Sequence, residues 1–263
     1  MKRARKLSPV SASEHNFVVK NRCSVKDKII EPVERAWTPS NWQDLYSGIS
    51  RMRSAVAAPV DTMGCDIIRS VDYDEKTNRY HVLVSLMLSS QTKDEVNNAA
   101  MERLLQHGLT PTRVSSTNED ELGSLIKPVS FWRTKAKHIK QATEICCSQY
   151  NSDIPPDLEG LLALPGVGPK MAYLAMSCAW KKIVGIGVDV HVHRISNRLQ
   201  WVPKPTKTPE QTRLELESWL PQQYWGEVNH MLVGFGQTVC LPKKPKCSEC
   251  AINNLCPSAF KTK

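Results

Sequence analysis

A chain of 263 residues with 41% apolar and 23% charged side chains is long enough to bury a substantial core in one or two domains, and this composition excludes a fibrous or wholly disordered protein. Its formal charge of +9 sits at the two ends: residues 1–40 hold nine Lys and Arg against four Asp and Glu, residues 241–263 hold five against one, and the stretch between holds 21 of each. Basic ends point to a polyanionic partner, nucleic acid above all, and no apolar run approaches the length of a bilayer span. Nine cysteines follow a Met1-Lys2-Arg3-Ala4-Arg5-Lys6 start that leads into no apolar h-region, which predicts a reducing, intracellular setting.

Residues 1–38 mix basic residues, Ser and Pro without periodicity and are expected to form a disordered tail, suited to a nuclear address or a loose phosphate contact. Ser40-Asn41-Trp42-Gln43 has the form of a capping box, predicting a helix over 41–53 that Ala57-Ala58-Pro59 breaks. The apolar run 80–88 is expected to be a buried helix, since no partner strand appears elsewhere. Thr92-Lys93-Asp94-Glu95 repeats the capping box and predicts a helix over 93–106 that Gly108 stops. Further helices are expected at 119–126 and at 134–150, the latter with a basic face containing Lys135, Lys137 and Lys140. Residues 157–163 form the first arm of a helical hairpin. Past it, Asp189 stands at an N-cap position, and Thr208-Pro209-Glu210-Gln211 predicts a helix over 209–220. A last helix spans 222–239, with Gly234 and Gly236 where a neighbouring backbone is expected to come close. The fold class is all-α.

Four groups carry chemistry. In Leu164-Pro165-Gly166-Val167-Gly168-Pro169-Lys170 two glycines frame a tight turn and Pro169 opens a new helix, leaving outward amides that suit a phosphate. Lys170 lies one step inside that helix and is a nucleophile if its amine is free of its proton; contact with phosphate is the plainer alternative. Asp189 needs no function beyond capping to explain it. Cys240, Cys247, Cys250 and Cys256 form a C-x6-C-x2-C-x5-C run that implies one soft metal centre, with zinc and a [4Fe-4S] cluster equally compatible. Between the first two ligands Lys243, Lys244 and Lys246 sit in a proline-stiffened loop shaped to press on phosphates. His191 and His193, two apart on a helix, point to different faces and are expected to be structural. Gln91 reads as an exposed loop amide and Phe131-Trp132 as an anchor for the next helix.

Together these pieces resemble the endonuclease III family of DNA glycosylases, most closely its eukaryotic members. The resemblance rests on Leu88-Ser89-Ser90-Gln91-Thr92-Lys93-Asp94, residues 164–170, Val188-Asp189-Val190-His191-Val192-His193-Arg194 and the four cysteines, and covers roughly residues 60–257. It implies that Lys170 attacks C1′ of a flipped, damaged nucleotide, that a Schiff base forms as the base leaves, and that β-elimination cuts the strand. Asp189 would stabilise the developing positive charge on the sugar, and the cysteines would hold a [4Fe-4S] cluster beside a DNA-contacting loop. Gln91 would fill the hole left by the flipped base, Phe131 would wedge into the opposite strand, and Gly166, Val167 and Gly168 would grip the backbone.

The family fold implies a six-helix barrel over residues 72–182 and a helical iron-sulfur domain built from 39–71 together with 183–258, with a DNA cleft between them. The expected partner is double-stranded DNA with a damaged base or abasic site, bound by a monomer without a membrane, in the nucleus and with the mitochondrion left open. The expected activity is removal of oxidised pyrimidines with strand cleavage. The competing readings are an adenine-mismatch glycosylase, which lacks a lysine at the Lys170 position, and a non-catalytic DNA-binding module with a structural zinc.

Overall fold

Short polar side chains begin most of the helices in the computed structural model, which describes residues 37–65 and 73–261. The elements are α1 (Trp42–Ala55), α2 (Pro59–Met63), α3 (Glu75–Ser89), α4 (Asp94–His107), α5 (Pro111–Ser116), α6 (Glu119–Ile126) and α7 (Trp132–Gln149). They continue with α8 (Leu158–Ala163), α9 (Pro169–Cys178), α10 (Val190–Arg198), α11 (Pro209–Trp219) and α12 (Trp225–Thr238). Single 3-10 turns occupy Gln222–Tyr224 and Cys247–Glu249, and among the described residues there is no strand. The all-α expectation is correct. The basic tail, up to residue 36, lies outside the described residues, as does the expected boundary at 71–72.

Asp74, Thr110, Asn118, Asp157, Asp189 and Thr208 each accept the amide three residues on, satisfying donors the helix cannot pair itself. Two expected caps fail. The N-caps of α1 and α4 are Asn41 and Lys93, without a side-chain bond, so both helices begin one residue later than Ser40 and Thr92 imply. The Thr92 hydroxyl is engaged elsewhere: it donates to the Ser90 carbonyl and accepts from Lys135. Two short helices add to the predicted set. In α2, inside the expected break, Pro59 takes the first helical position and the Asp61 carboxylate accepts the Ala58 amide at 2.7 Å; in α5, Pro111 follows the Thr110 cap.

The expected basic face of α7 is not a face. Lys135, 7% exposed, donates to the carbonyls of Leu88 (2.6 Å) and Ser90 (2.7 Å) and to Thr92 Oγ1 (3.0 Å). Lys140 donates to the carbonyls of Val114, Ser115 and Thr117. Both lysines turn inward onto carbonyls at the ends of α3 and α5. Gly234 and Gly236 are also approached otherwise than expected, by the side chains of Arg53 and of His191 and Arg194.

The apolar faces converge on two cores within one compact unit. In the first, Leu83, Leu86 and Leu88 of α3 meet Met101 and Leu104 of α4, Leu122 of α6 and Ile139 of α7, and α3 also packs on α9. In the second, Leu45 and Ile49 of α1 and Val192 and Ile195 of α10 pack with Leu232 and Phe235 of α12. Trp42, Tyr46, Trp201, Trp219 and Tyr224 close that core with edge-to-face and stacked ring contacts. Each fully buried aliphatic side chain stabilises the fold by about 1.5–3 kcal/mol. The chain passes from the second core to the first after α2 and returns after α9, so residues far apart in sequence face each other where the cores meet.

Candidate active site and DNA interface

A cleft of about 1210 Å³ draws its walls from both cores and is lined by Lys170, Asp189, Gln91 and Gly168. Lys170 is half-buried in the first turn of α9. Asp189 Oδ1 accepts the Val192 amide at 2.8 Å, which fixes the carboxylate at the positive end of α10, where its negative charge is favoured. The structure thus brings together two side chains separated by nineteen residues, and the capping explanation for Asp189 is correct as far as one oxygen goes.

The hairpin needs glycine once. Gly166 has φ +79°, and a Cβ there would lie 2.6 Å from His138 Nδ1; Gly168 is extended, with open space around it. Val167 points its side chain into the first core and donates its amide to Leu164 O at 3.1 Å. The amides of Gly166 and Gly168 find no acceptor among the described residues, and these are what the hairpin offers an anion.

Gln91 and Phe131 share an uncommon backbone, with φ of +52° and +56°. Such conformations cost non-glycine residues about 1 kcal/mol and persist only where the surroundings impose them. At Gln91 the surroundings are the three bonds from Lys135, which fasten the residues on either side and leave Gln91 exposed at the cleft. At Phe131 they are Trp132, which packs against Gly123 between the cations of Lys127 (4.3 Å) and Arg133 (4.2 Å). Trp132 alone is the anchor; Phe131 is 65% exposed and does not line the cleft.

His193 behaves as expected, its Nδ1 2.6 Å from Thr212 Oγ1. His191 faces the cleft, with its Nδ1 3.3 Å from Arg194 Nη2. Burial holds its imidazole below the usual pKa despite the opposing pull of Asp189, with Arg194 and Lys170 adding to the depression. Asp94 accepts from Gln237 Nε2 at 2.7 Å, joining α4 to α12 across the cleft. The Asp94–Gln237 contact, between residues 143 positions apart, has no short-range signature in the sequence.

The four cysteines Cys240, Cys247, Cys250 and Cys256 are half-buried and line one small apolar cavity beside Phe235 and Ile252. Burial pushes the thiols of Cys250 and Cys256 up, and the neighbouring cysteines add to the rise. Among the described residues no three His, Cys, Asp or Glu side chains converge on the position of a single metal ion. Arg198 clamps the adjoining loop: its Nη1 donates to Leu241 O (2.7 Å) and lies 3.3 Å from Cys240 Sγ, and its Nη2 donates to Pro242 O (2.8 Å). Arg194 donates to Cys240 O, and the Lys246 amide closes the loop onto Val239 O. Lys243, Lys244 and Lys246 stand exposed on this fixed support, Lys244 with φ +50°.

Residues 84–222 match the HhH-GPD superfamily of base excision DNA repair proteins. The chain is 55% identical over 223 residues to Endonuclease III-like protein 1 of Mus musculus, covering 85% of this chain and 74% of that one. It is 53% identical to the Gallus gallus protein of the same name, covering 85% and 79%. A solved structure of a trapped endonuclease III–DNA covalent intermediate superposes with a TM-score of 0.71 at 26% identity, covering 83% of this chain and 97% of that one.

Proposed function

The chain belongs to the endonuclease III family of HhH-GPD base excision DNA repair proteins, and on that premise we propose that Lys170 and Asp189 carry out the removal of oxidised pyrimidines from duplex DNA. The observation that carries this assignment is the shared cleft: the amine of Lys170 and the carboxylate of Asp189 line one space, held by the starts of two different helices. The Lys170 amine attacks C1′ of the extruded nucleotide and the bond to the base breaks. The nitrogen then forms a Schiff base with the opened sugar, and loss of a C2′ proton expels the 3′ phosphate in a β-elimination. Asp189, fixed through one oxygen, keeps negative charge close to the sugar as positive charge develops there.

DNA contacts are assigned to the amides at Gly166 and Gly168, with Val167 holding the hairpin to the core, and to Lys243, Lys244 and Lys246. Gln91 supplies an amide to the gap left by the extruded base, and Phe131 an apolar side chain to the opposite strand. Lesion specificity and a monomeric state belong to the same proposal. So do the division into a barrel (72–182) and a second helical domain (39–71 with 183–258), and action on nuclear DNA with a mitochondrial share.

The family resemblance assigns the four cysteines a [4Fe-4S] cluster, and an all-thiol set lining one small apolar cavity suits that group. Bound there, a cluster supplies a cationic core that stabilises the thiolates and ties residues 240–256 into one support for the lysine loop.

Incubating the protein with duplex DNA containing an oxidised pyrimidine in the presence of borohydride tests the assignment. A covalent adduct is expected with the wild type and none with Lys170→Ala; equal adduct from both would refute Lys170. Iron and sulfide in anaerobically purified protein are expected in equal amounts, and stoichiometric zinc without sulfide would exclude the cluster.

A further inference from the structure

Two thiols outside both the four-cysteine set and the Lys170–Asp189 pair meet on the cleft wall. Cys65, two residues past α2, and Cys178, the last residue of α9, lie 113 positions apart in sequence with their sulfurs 3.7 Å apart. Both are half-buried, both line the cleft, and both pack against the first core. A disulfide is about 2.05 Å long, so the sulfurs need to approach by less than ~2 Å to bond.

We propose that Cys65 and Cys178 form an oxidation site, at which a hydroperoxide converts two thiols into a disulfide that ties the chain beyond α2 to α9 and slows strand cleavage. Cys178 ends a ten-residue helix, where the helix dipole disfavours a thiolate. Cys65 is therefore the thiol that meets the oxidant. Its thiolate attacks the peroxide O–O bond, leaving a sulfenic acid on Cys65 and hydroxide, or an alkoxide from an organic peroxide. The Cys178 thiol then displaces the sulfenic oxygen as water, and the S–S bond forms; two external thiol equivalents reverse it. Both residues line the cleft, through which peroxide is expected to reach them and which bound duplex is expected to block.

The effect on catalysis follows from the helix. Lys170 lies eight residues from Cys178 on α9, about 12 Å along a rigid rod. A pull on one end moves the other, and a displacement of about 1 Å at a reacting group costs up to ~100-fold in rate. This consequence rests on Lys170 as the nucleophile; formation of the bond does not.

The test treats anaerobically purified full-length protein with hydrogen peroxide at doses that leave its visible absorbance intact, then maps peptides by mass spectrometry without reduction. Strand cleavage of a duplex with an abasic site is measured in parallel. A cross-linked peptide pair containing Cys65 and Cys178 is expected in most molecules. Cleavage should fall at least tenfold and recover with dithiothreitol, and bound duplex should slow cross-linking at least threefold. Cys65→Ser and Cys178→Ser should each keep their own untreated rate after peroxide. Absence of the cross-linked pair at those doses would overturn the site, and equal loss of rate in wild type and Cys65→Ser would overturn its control of cleavage. An untreated wild type without strand cleavage would refute the lyase reading instead, while the peptide map still decides whether the disulfide forms.

Discussion

Lys135→Met removes a side chain that fastens the turn presenting Gln91 at three points. Its ammonium makes three hydrogen bonds, to Leu88 O, Ser90 O and Thr92 Oγ1, each worth about 2 kcal/mol for a charged donor. Burial works against them: it lowers the pKa of Lys135 from 10.5 to about 8, which corresponds to about 3 kcal/mol against the charged form. Lys135→Met leaves the three oxygens without this donor and is expected to cost about 3 kcal/mol near neutral pH. For a folded unit of this size that lowers the melting temperature by roughly 6–12 °C. The pH dependence supplies a second, independent reading. Between pH 8 and 10.5 the unfolded chain holds a proton on Lys135 that the native protein has lost. Wild-type stability therefore gains from this group as pH rises through that window, by up to about 3 kcal/mol, and the variant does not. Denaturant unfolding of both proteins at pH 7 and pH 10 measures the difference, with the shared titrations cancelling. A melting temperature within 2 °C of wild type, or a stability gap that stays constant from pH 7 to pH 10, would refute the reasoning.

Asp189→Asn keeps a good N-cap for α10 and removes the negative charge from the cleft. It should leave the melting temperature within about 1–2 °C while cutting base release by roughly 100-fold, read by thermal unfolding and single-turnover kinetics. Changing Lys243, Lys244 and Lys246 together to Ala should weaken binding to all duplexes alike and reduce the slope of log K against log salt by about 2–3, measured by fluorescence anisotropy. An unchanged slope would remove the loop from the interface. Gly166→Ala forces a side chain into a left-handed backbone and onto His138, costing about 2–3 kcal/mol, whereas Gly168→Ala meets open space and should cost under about 0.5 kcal/mol; paired denaturant curves distinguish the two.

Much of the molecule is legible along the chain because the determining interactions are short-range. A cap at Asp157, Asp189 or Thr208 acts over three residues, and helical spacing of apolar side chains acts over two turns, so all-α architecture and most helix limits follow from local sequence. The same holds for Lys170 at the start of α9 and for the cysteine run, whose spacing alone brings four thiols to one region. Local rules also mislead where a distant group competes. Thr92 satisfies the capping pattern, but its hydroxyl is taken by Lys135, forty-three residues on; Lys135 and Lys140 have the spacing of a solvent face, yet two other helices end against them and claim their ammonium groups.

The local sequence of this protein determines its helices, its hairpin and its cysteine run, since each depends on neighbours close along the chain. Only the tertiary structure decides that Lys170, Asp189 and His191 share a cleft, that Arg198 rigidifies the lysine loop, and that Cys65 touches Cys178. Those contacts arise where two cores, each collapsing to bury its own apolar surface, bring their edges together, and no period or spacing in a single chain encodes that meeting.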